Sequence, residues 1–460
     1  MKAMKLTKIK YILLLLLLPW ASCSDFVEGD TNVSPNSATD APLNSLITAS
    51  QVYLFGVYTS EDARLANMWT QQFTGSERQY SSYYNYLVTS EVFDFFNSYV
   101  GVIQPTLDAE SRAEVQGNTV AVGMLKVIRA MAFGRLTSLY GDIPFNEANS
   151  YPEIENPVYD DQVTIVYPGI QAMLTEAIGN LTSGEGGIPG SADLIFGGNI
   201  ASWVAAAHSL KARYFLQTGD YAQAITEANL GISSSGGDMN ASFGTTVSAN
   251  QNPYYDFTVI QRNGYMTGAN SYLRKMLTSS EPEYRGNAKT DETERLNFIF
   301  NGLDLNNNGM FTADAPMSLI SYKENQLILA ESNLKISSPN ANAALTALNN
   351  VRAELAIEFS SGTYSAYTLA DFGPGGIANS AGEGTNVALL NEIIEEKYTS
   401  LVGQIEVFID FIRLDNPLGL TPASGTQFPK RFLYPTDEVN SNSNVPNPLP
   451  GLFDATKVNN

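Results

Sequence analysis

From Leu46 onward, apolar positions recur at intervals of three and four residues, the spacing of helices with one buried face. Leu46, Val52, Tyr53, Phe55, Gly56 and Tyr58 open a first helix. Val115, Val122, Leu125, Ile128, Ala132, Leu136 and Leu139 share one face of a long helix predicted over 110–139. That helix stops at Tyr140-Gly141-Asp142-Ile143-Pro144-Phe145, where glycine and proline both end helices. Another is predicted over 162–181, closed by the glycine-rich loop 184–190. Residues 201–232 read as a helical hairpin, with Trp203, Ala206, Ala207, Leu210, Ala212 and Phe215 on the first helix and a turn at Gly219-Asp220-Tyr221. A second pair spans 322–334 and 341–356, where Leu327, Ala330 and Leu334 face Ala344, Leu348 and Val351.

The order Gly-Asp-Tyr-x-x-Ala-Ile at 219–225 is similar to the middle of a tetratricopeptide repeat. The pairs are irregularly spaced, unlike a solenoid with its fixed period. Long loop-rich insertions, 233–272 and 359–386, separate them, and the tail 414–460 is rich in Pro, Asn and Gly. Loops carried on a rigid scaffold are where binding usually resides. The fold class is therefore mainly α: helical hairpins of tetratricopeptide type form a scaffold beneath a loop-rich face.

The pattern breaks at the start of the chain. Lys2, Lys5, Lys8 and Lys10 precede the unbroken apolar run Ile12–Leu18, then Pro19-Trp20-Ala21-Ser22-Cys23. The run is far shorter than the ~20 residues of a spanning helix. Residues 1–22 read as an export signal. Cys23, the only cysteine in 460 residues, stands where a lipoprotein signal is cut and its new N-terminus acylated. Residues 23–45 read as a flexible tether broken by Pro35 and Pro42, and 46–460 as a single domain.

Charge narrows the function classes. The chain carries 26 basic and 47 acidic side chains. Loss of the four signal-peptide lysines leaves 22 basic, a net of −25. Such a surface argues against nucleic acid and against anionic lipid. The single histidine, His208, lies inside a helix and leaves little room for a Ser-His-Asp arrangement. A carboxylate pair of the glycosidase kind stays open, with Asp94, Glu147 and Asp256 near aromatics.

Two segments suggest ligands. Residues 69–99 are crowded with aromatics, and flat rings can stack on the apolar faces of sugars. Phe93 and Phe96 are expected in the core. Trp69, Tyr80, Tyr83 and Tyr84 are the candidate binding platform. Asp304-Leu305-Asn306-Asn307-Asn308-Gly309 has the D-x-N-x-N-G opening of a calcium loop, and Asp304, Asn306, Asn308 and Asp314 could ligate Ca²⁺ structurally. Ala315 occupies the twelfth place, where a bidentate Glu is needed, so an Asx-rich turn is the competing reading.

The pieces together resemble the SusD/RagB-like outer-membrane lipoproteins. The resemblance rests on Ala21-Ser22-Cys23, Tyr140–Phe145 with Glu147-Ala148, Ala207–Arg213, Tyr322–Asn325 with Ala330-Glu331-Ser332, Ile394–Tyr398, Phe408–Arg413, and Pro429–Pro435 with Glu438. Departures are Ile143 for Val, Tyr398 for Trp, and Ile412 for a second Arg. The resemblance implies a lipid-anchored, surface-exposed protein that caps a SusC-like TonB-dependent barrel transporter. It implies binding of an oligosaccharide, or in some members a peptide, without cleavage. A glycoside hydrolase and a purely structural scaffold are the competing classes.

Overall fold

Asn118 marks one place where sequence and structure part. In the computed structural model, which describes residues 41–460, the helix expected over 110–139 is two helices. These are α3 (Gln104–Val115) and α4 (Thr119–Tyr140), following α1 (Leu43–Thr59) and α2 (Glu61–Trp69). Gly117 breaks the run at φ 67°, a conformation that costs glycine little. Asn118 then caps α4 by accepting the Ala121 N–H at 3.1 Å. Val115, expected on the buried face, is 88% exposed because it ends α3.

The remaining scaffold helices are α5 (Tyr167–Ser183), α6 (Ile200–Gln217), α7 (Tyr221–Ala228), α8 (Tyr322–Lys335), α9 (Ala341–Glu358), α10 (Thr385–Ser400) and α11 (Glu406–Arg413). From α3 to α9 each packs on the next, and α1 lies against α3. The hairpins at 200–228 and 322–358 are as the periodicity implies, although α7 ends four residues before Ile232. Polar caps recur at the helix starts: Asn199 accepts the Ser202 N–H, Asp220 that of Gln223, Ser321 that of Glu324, and Asn340 that of Ala343. α1 begins three residues inside the segment read as tether. Leu43–Asn460 form one compact unit. The signal sequence, Cys23 and the tether as far as residue 40 lie outside the described residues.

One large core runs through α1 to α6 and α11. A second joins α8, α9 and α10, and a small third sits among α6, α7 and α8. Phe93 is core as expected, but Phe96 is 37% exposed, and its neighbour Phe95 points inward instead. Strands among the described residues are three two-stranded ladders of two to four residues each.

The segments that carried the family resemblance meet in this scaffold. Arg213 on α6 binds Glu324 on α8 and Glu406 on α11. Arg413 on α11 binds Glu331 on α8 through 2.8 and 2.9 Å contacts, and Lys397 on α10 reaches Asp410 at 2.7 Å. The Tyr434 hydroxyl lies 2.9 Å from the Tyr140 carbonyl and 2.7 Å from that of Asp142, closing the tail onto the end of α4. These charges are ion-paired and these hydroxyls hydrogen-bonded within the protein, which offsets the cost of burying them. They hold the fold together and say nothing about a ligand.

Candidate functional site

After α2 the chain turns back at Thr74-Gly75, which pairs antiparallel with Met266-Thr267. Only glycine fits at 75, since a Cβ there would come within 2.0 Å of the Tyr80 carbonyl oxygen. Ser76 continues the contact, its N–H donating to the Tyr265 carbonyl at 2.8 Å and its hydroxyl meeting Thr267 Oγ1 at 2.7 Å. This short ladder sets the helix Arg78–Tyr84 beside residues 253–265. There the Asn252 side chain accepts the N–H groups of Tyr254 and Tyr255, and the next turn, Asp256–Gln261, is a π-helix. Wide turns of that kind are frequent at functional sites. Arg78, which opens that helix, and Ser248, which lines the neighbouring cleft, hold left-handed φ angles of 48° and 55°.

The floor beneath this junction is built from charged and aromatic groups. Tyr80 is fully buried, and its ring stacks on Phe257 with centroids 4.5 Å apart. Its hydroxyl donates to Glu61 at 2.7 Å and accepts from Arg64 Nε at 2.7 Å. Burial pushes that hydroxyl far above its ordinary pKa, so it keeps its proton. The Arg64 guanidinium lies 4.5 Å over the Phe257 ring.

The half-buried rings of Tyr83 and Tyr265 sit on this floor, 5.7 and 6.3 Å from Tyr80. Arg262 is exposed, with its guanidinium 5.9 Å from the Tyr265 ring. Alongside runs a cleft of about 270 Å³ whose lining includes Arg64, Gln251, Asp256, Phe257 and Gln261. Asp256 accepts a hydrogen bond from Gln261 on Oδ2, while its Oδ1 is buried and accepts none. Flat rings, a carboxylate and an amide in the cleft lining, and an arginine suit a polyhydroxylated ring.

The sequence candidates divide accordingly. Tyr83 lies in the site. Tyr84 is half-buried, packs over Gly75, and has no ring contact tying it to the cluster. Trp69 and Tyr80 are buried, at 1% and 0% exposure, and cannot serve as a platform. Trp69 is boxed edge-on by Tyr86, Phe93, Phe408 and Phe432, while its Nε1 donates to the Tyr83 carbonyl at 2.9 Å. It therefore positions the residue that is displayed. Tyr265, Phe257 and Arg262 were missed, because a two-residue ladder between distant segments leaves no periodic signal.

Three of the four calcium candidates bond within their own loop. Asn306 Oδ1 accepts the Asn308 N–H at 3.0 Å and its Nδ2 donates to the Asn297 carbonyl at 2.6 Å. Asp314 accepts from Thr312 at 3.0 Å, Asn308 donates to Asn307, and Asp304 is exposed on a two-residue strand. This is the bonding of an Asx turn. Among the described residues no group of three or more His, Cys, Asp or Glu is placed to hold a metal. His208 is held by Glu227 at 2.6 Å, which Lys211 also binds.

Among the described residues no helix is long and apolar enough to cross a membrane. The family model SusD-like_2, described as “Starch-binding associating with outer membrane”, matches residues 35–435. The chain belongs to the SusD-like family. No curated protein matches it. Solved structures share the fold at low identity. A SusD homologue from Bacteroides uniformis superposes with a TM-score of 0.70 at 18% identity, over 91% of this chain and 99% of that one. A SusD homologue from Bacteroides fragilis gives 0.63 at 21%, over 91% and 99%. A chitin-binding SusD homologue from Flavobacterium johnsoniae gives 0.66 at 15%, over 91% and 97%. At such identities the likeness speaks for the fold. The SusD-like scaffold is the helical one described above.

Proposed function

We propose that this protein is a non-catalytic glycan-binding lipoprotein of the outer membrane. It holds an oligosaccharide on the Tyr83–Tyr265 face and passes it to a SusC-like TonB-dependent barrel transporter for uptake. The observation that carries the reading is the pair of partly exposed rings, Tyr83 and Tyr265, on the Tyr80–Phe257 floor, with Phe257, Asp256 and Gln261 lining the neighbouring cleft. The rings stack on sugar faces, and Asp256, Gln261 and Arg262 meet the hydroxyls. The family's description as starch-binding and outer-membrane-associated supports the ligand class and location, as does a structural relative described as chitin-binding. The signal-like residues 1–22 and Cys23 support a lipid anchor, which raises the effective concentration beside a membrane partner.

The test is calorimetric titration of the purified protein with malto- and chitooligosaccharides and an oligopeptide panel, with products assayed afterwards. The reading expects a glycan to bind and be recovered intact. Release of shorter sugars would favour the hydrolase. Binding of peptides alone at this face would move the protein to the peptide-binding side of the family. In cells, Cys23→Ala is expected to abolish uptake while the purified variant still binds ligand.

A further inference from the structure

A second cleft, of about 430 Å³, lies between residues 272–287, the loop 377–383 and α10. Its volume is within the range of small-molecule sites, roughly 300–1,000 Å³. Glu392 and Glu395, neighbours one turn apart on α10, both line it. Both approach the same edge of the Arg285 guanidinium. Glu392 Oε1 lies 2.9 Å from Nη2, and Glu395 Oε2 lies 3.7 Å from Nε, beyond hydrogen-bond reach. The Arg285 Nη1 is taken by Glu292 and Glu396, each at 2.8 Å.

The charges in this corner do not balance. The guanidiniums of Arg285, Arg295 and Arg352 face the carboxylates of Glu292, Glu392, Glu395 and Glu396, so one negative charge is left over. Arg295 shares Glu396 with Arg285, at 3.0 Å. Arg352 donates to the carbonyls of Ser365 and Lys289 and stays 3.9 Å from Glu392. The surplus falls on Glu395. Its side chain is 36% exposed, and its carboxylate accepts no hydrogen bond among the described residues. Burial, and then the Glu392 charge beside it, raises that carboxyl to about 7. Glu392 is 7% exposed and uses only Oε1 on Arg285. Two further carboxylates line the cleft. Lys275 approaches Glu283 no closer than 3.9 Å, and Glu383 accepts from Asn391 at 2.8 Å.

An occupant must therefore bring a positive charge, since a surplus carboxylate drawn out of water gains most from a charged donor. A neutral sugar leaves the surplus standing, and an anion adds to it. Among the described residues no three acids converge to hold a metal, so the cation is organic. An ammonium carries donors only, matching carboxylates that carry acceptors only. The rings of Tyr272 and Tyr284, also in the lining, attract a cation by their faces.

We infer that this cleft binds an organic cation through a primary ammonium group, which donates to Glu395 and to the free oxygen of Glu392. An amino sugar and a lysine side chain both carry that group. The assignment is independent of the glycan reading, since it uses none of the residues at the Tyr83–Tyr265 junction.

The test is calorimetric titration of the purified protein with two pairs of compounds. One is D-glucosamine and N-acetyl-D-glucosamine. The other is Nα-acetyl-L-lysine amide and its Nε-acetylated form. Acetylation removes the charge within each pair. In at least one pair the amine is expected to bind about tenfold or more tightly than its acetylated partner. A preference in the sugar pair assigns the ammonium to an amino sugar, and one in the lysine pair to a lysine side chain. Glu395→Gln keeps the shape and removes the charge, so it should erase the preference. Its unfolding curve and its glycan binding should stay close to wild type, because Glu395 accepts no hydrogen bond. Equal affinity within both pairs in the wild type overturns the inference, and that comparison needs no variant to fold. So does the absence of binding by both amines, or an unaltered preference in Glu395→Gln.

Discussion

The Arg213 guanidinium grips the Glu324 carboxylate through two hydrogen bonds of 2.6 and 2.7 Å, joining α6 to α8 across 111 positions of sequence. Glu406 on α11 approaches the same guanidinium at 3.0 Å. All three side chains are nearly inaccessible to water. Removing one partner of a buried pair strands the other charge. Arg213→Ala should therefore lose about 3–5 kcal/mol of unfolding free energy, measured by urea denaturation. A loss below about 1 kcal/mol, the scale of an exposed pair, would show that water reaches this junction.

Asp238 provides a pH signature. It accepts the N–H of Tyr322, the first residue of α8, at 2.6 Å, and burial raises its carboxyl to about 6. The native state thus holds this proton more tightly than the unfolded chain, whose aspartate titrates near 3.9. Its contribution to stability is full below about pH 4, is lost as pH rises to about 6, and then stays flat, a change of about 2–3 kcal/mol. Asp238→Asn keeps the acceptor and removes the titration. Its stability relative to wild type should rise between pH 4 and 6, read by urea denaturation at each pH. A constant difference would show that Asp238 does not titrate in that window.

Trp69 and Tyr83 should separate folding from binding. Trp69→Ala empties an aromatic box and is expected to cost about 3–5 kcal/mol. Tyr83→Ala removes a half-exposed ring, costs about 1 kcal/mol, and weakens glycan binding about tenfold or more. Thermal melts and titrations of the two variants distinguish the roles. Wild-type stability in Trp69→Ala would show that Trp69 does not hold the aromatic box together.

The Asx turn at 306–308 predicts indifference to metal. Added Ca²⁺ or a chelator should leave the Tm unchanged, while Asn306→Ala should cost about 1 kcal/mol through its lost turn bonds. An upward shift of Tm with micromolar Ca²⁺ would restore the calcium loop.

The helical hairpins were legible in the sequence because their signal is local. Caps such as Asp220 and Asn340 and the facing sets Leu327/Ala330/Leu334 and Ala344/Leu348/Val351 all lie within a few turns of one another. The break at Gly117 was hidden by continuous apolar spacing on both sides. The binding face was less legible for a physical reason. Aromatic composition does not state direction: of the adjacent Phe95 and Phe96, Phe96, expected in the core, is exposed, while Phe95 is buried. Trp69 and Tyr83 likewise belong to one hydrogen-bonded unit, yet only one is displayed. Tyr265 joins them through a ladder of two residues, too short to leave a pattern.

The most direct test of the account is titration of the wild type, Tyr83→Ala and Tyr265→Ala with the tightest-binding oligosaccharide of the panel. The account predicts that each substitution weakens binding about tenfold or more, as loss of one stacking ring does, with unfolding curves close to wild type and the sugar recovered uncleaved. Wild-type affinity in both stably folded variants would contradict it and place the ligand on another face.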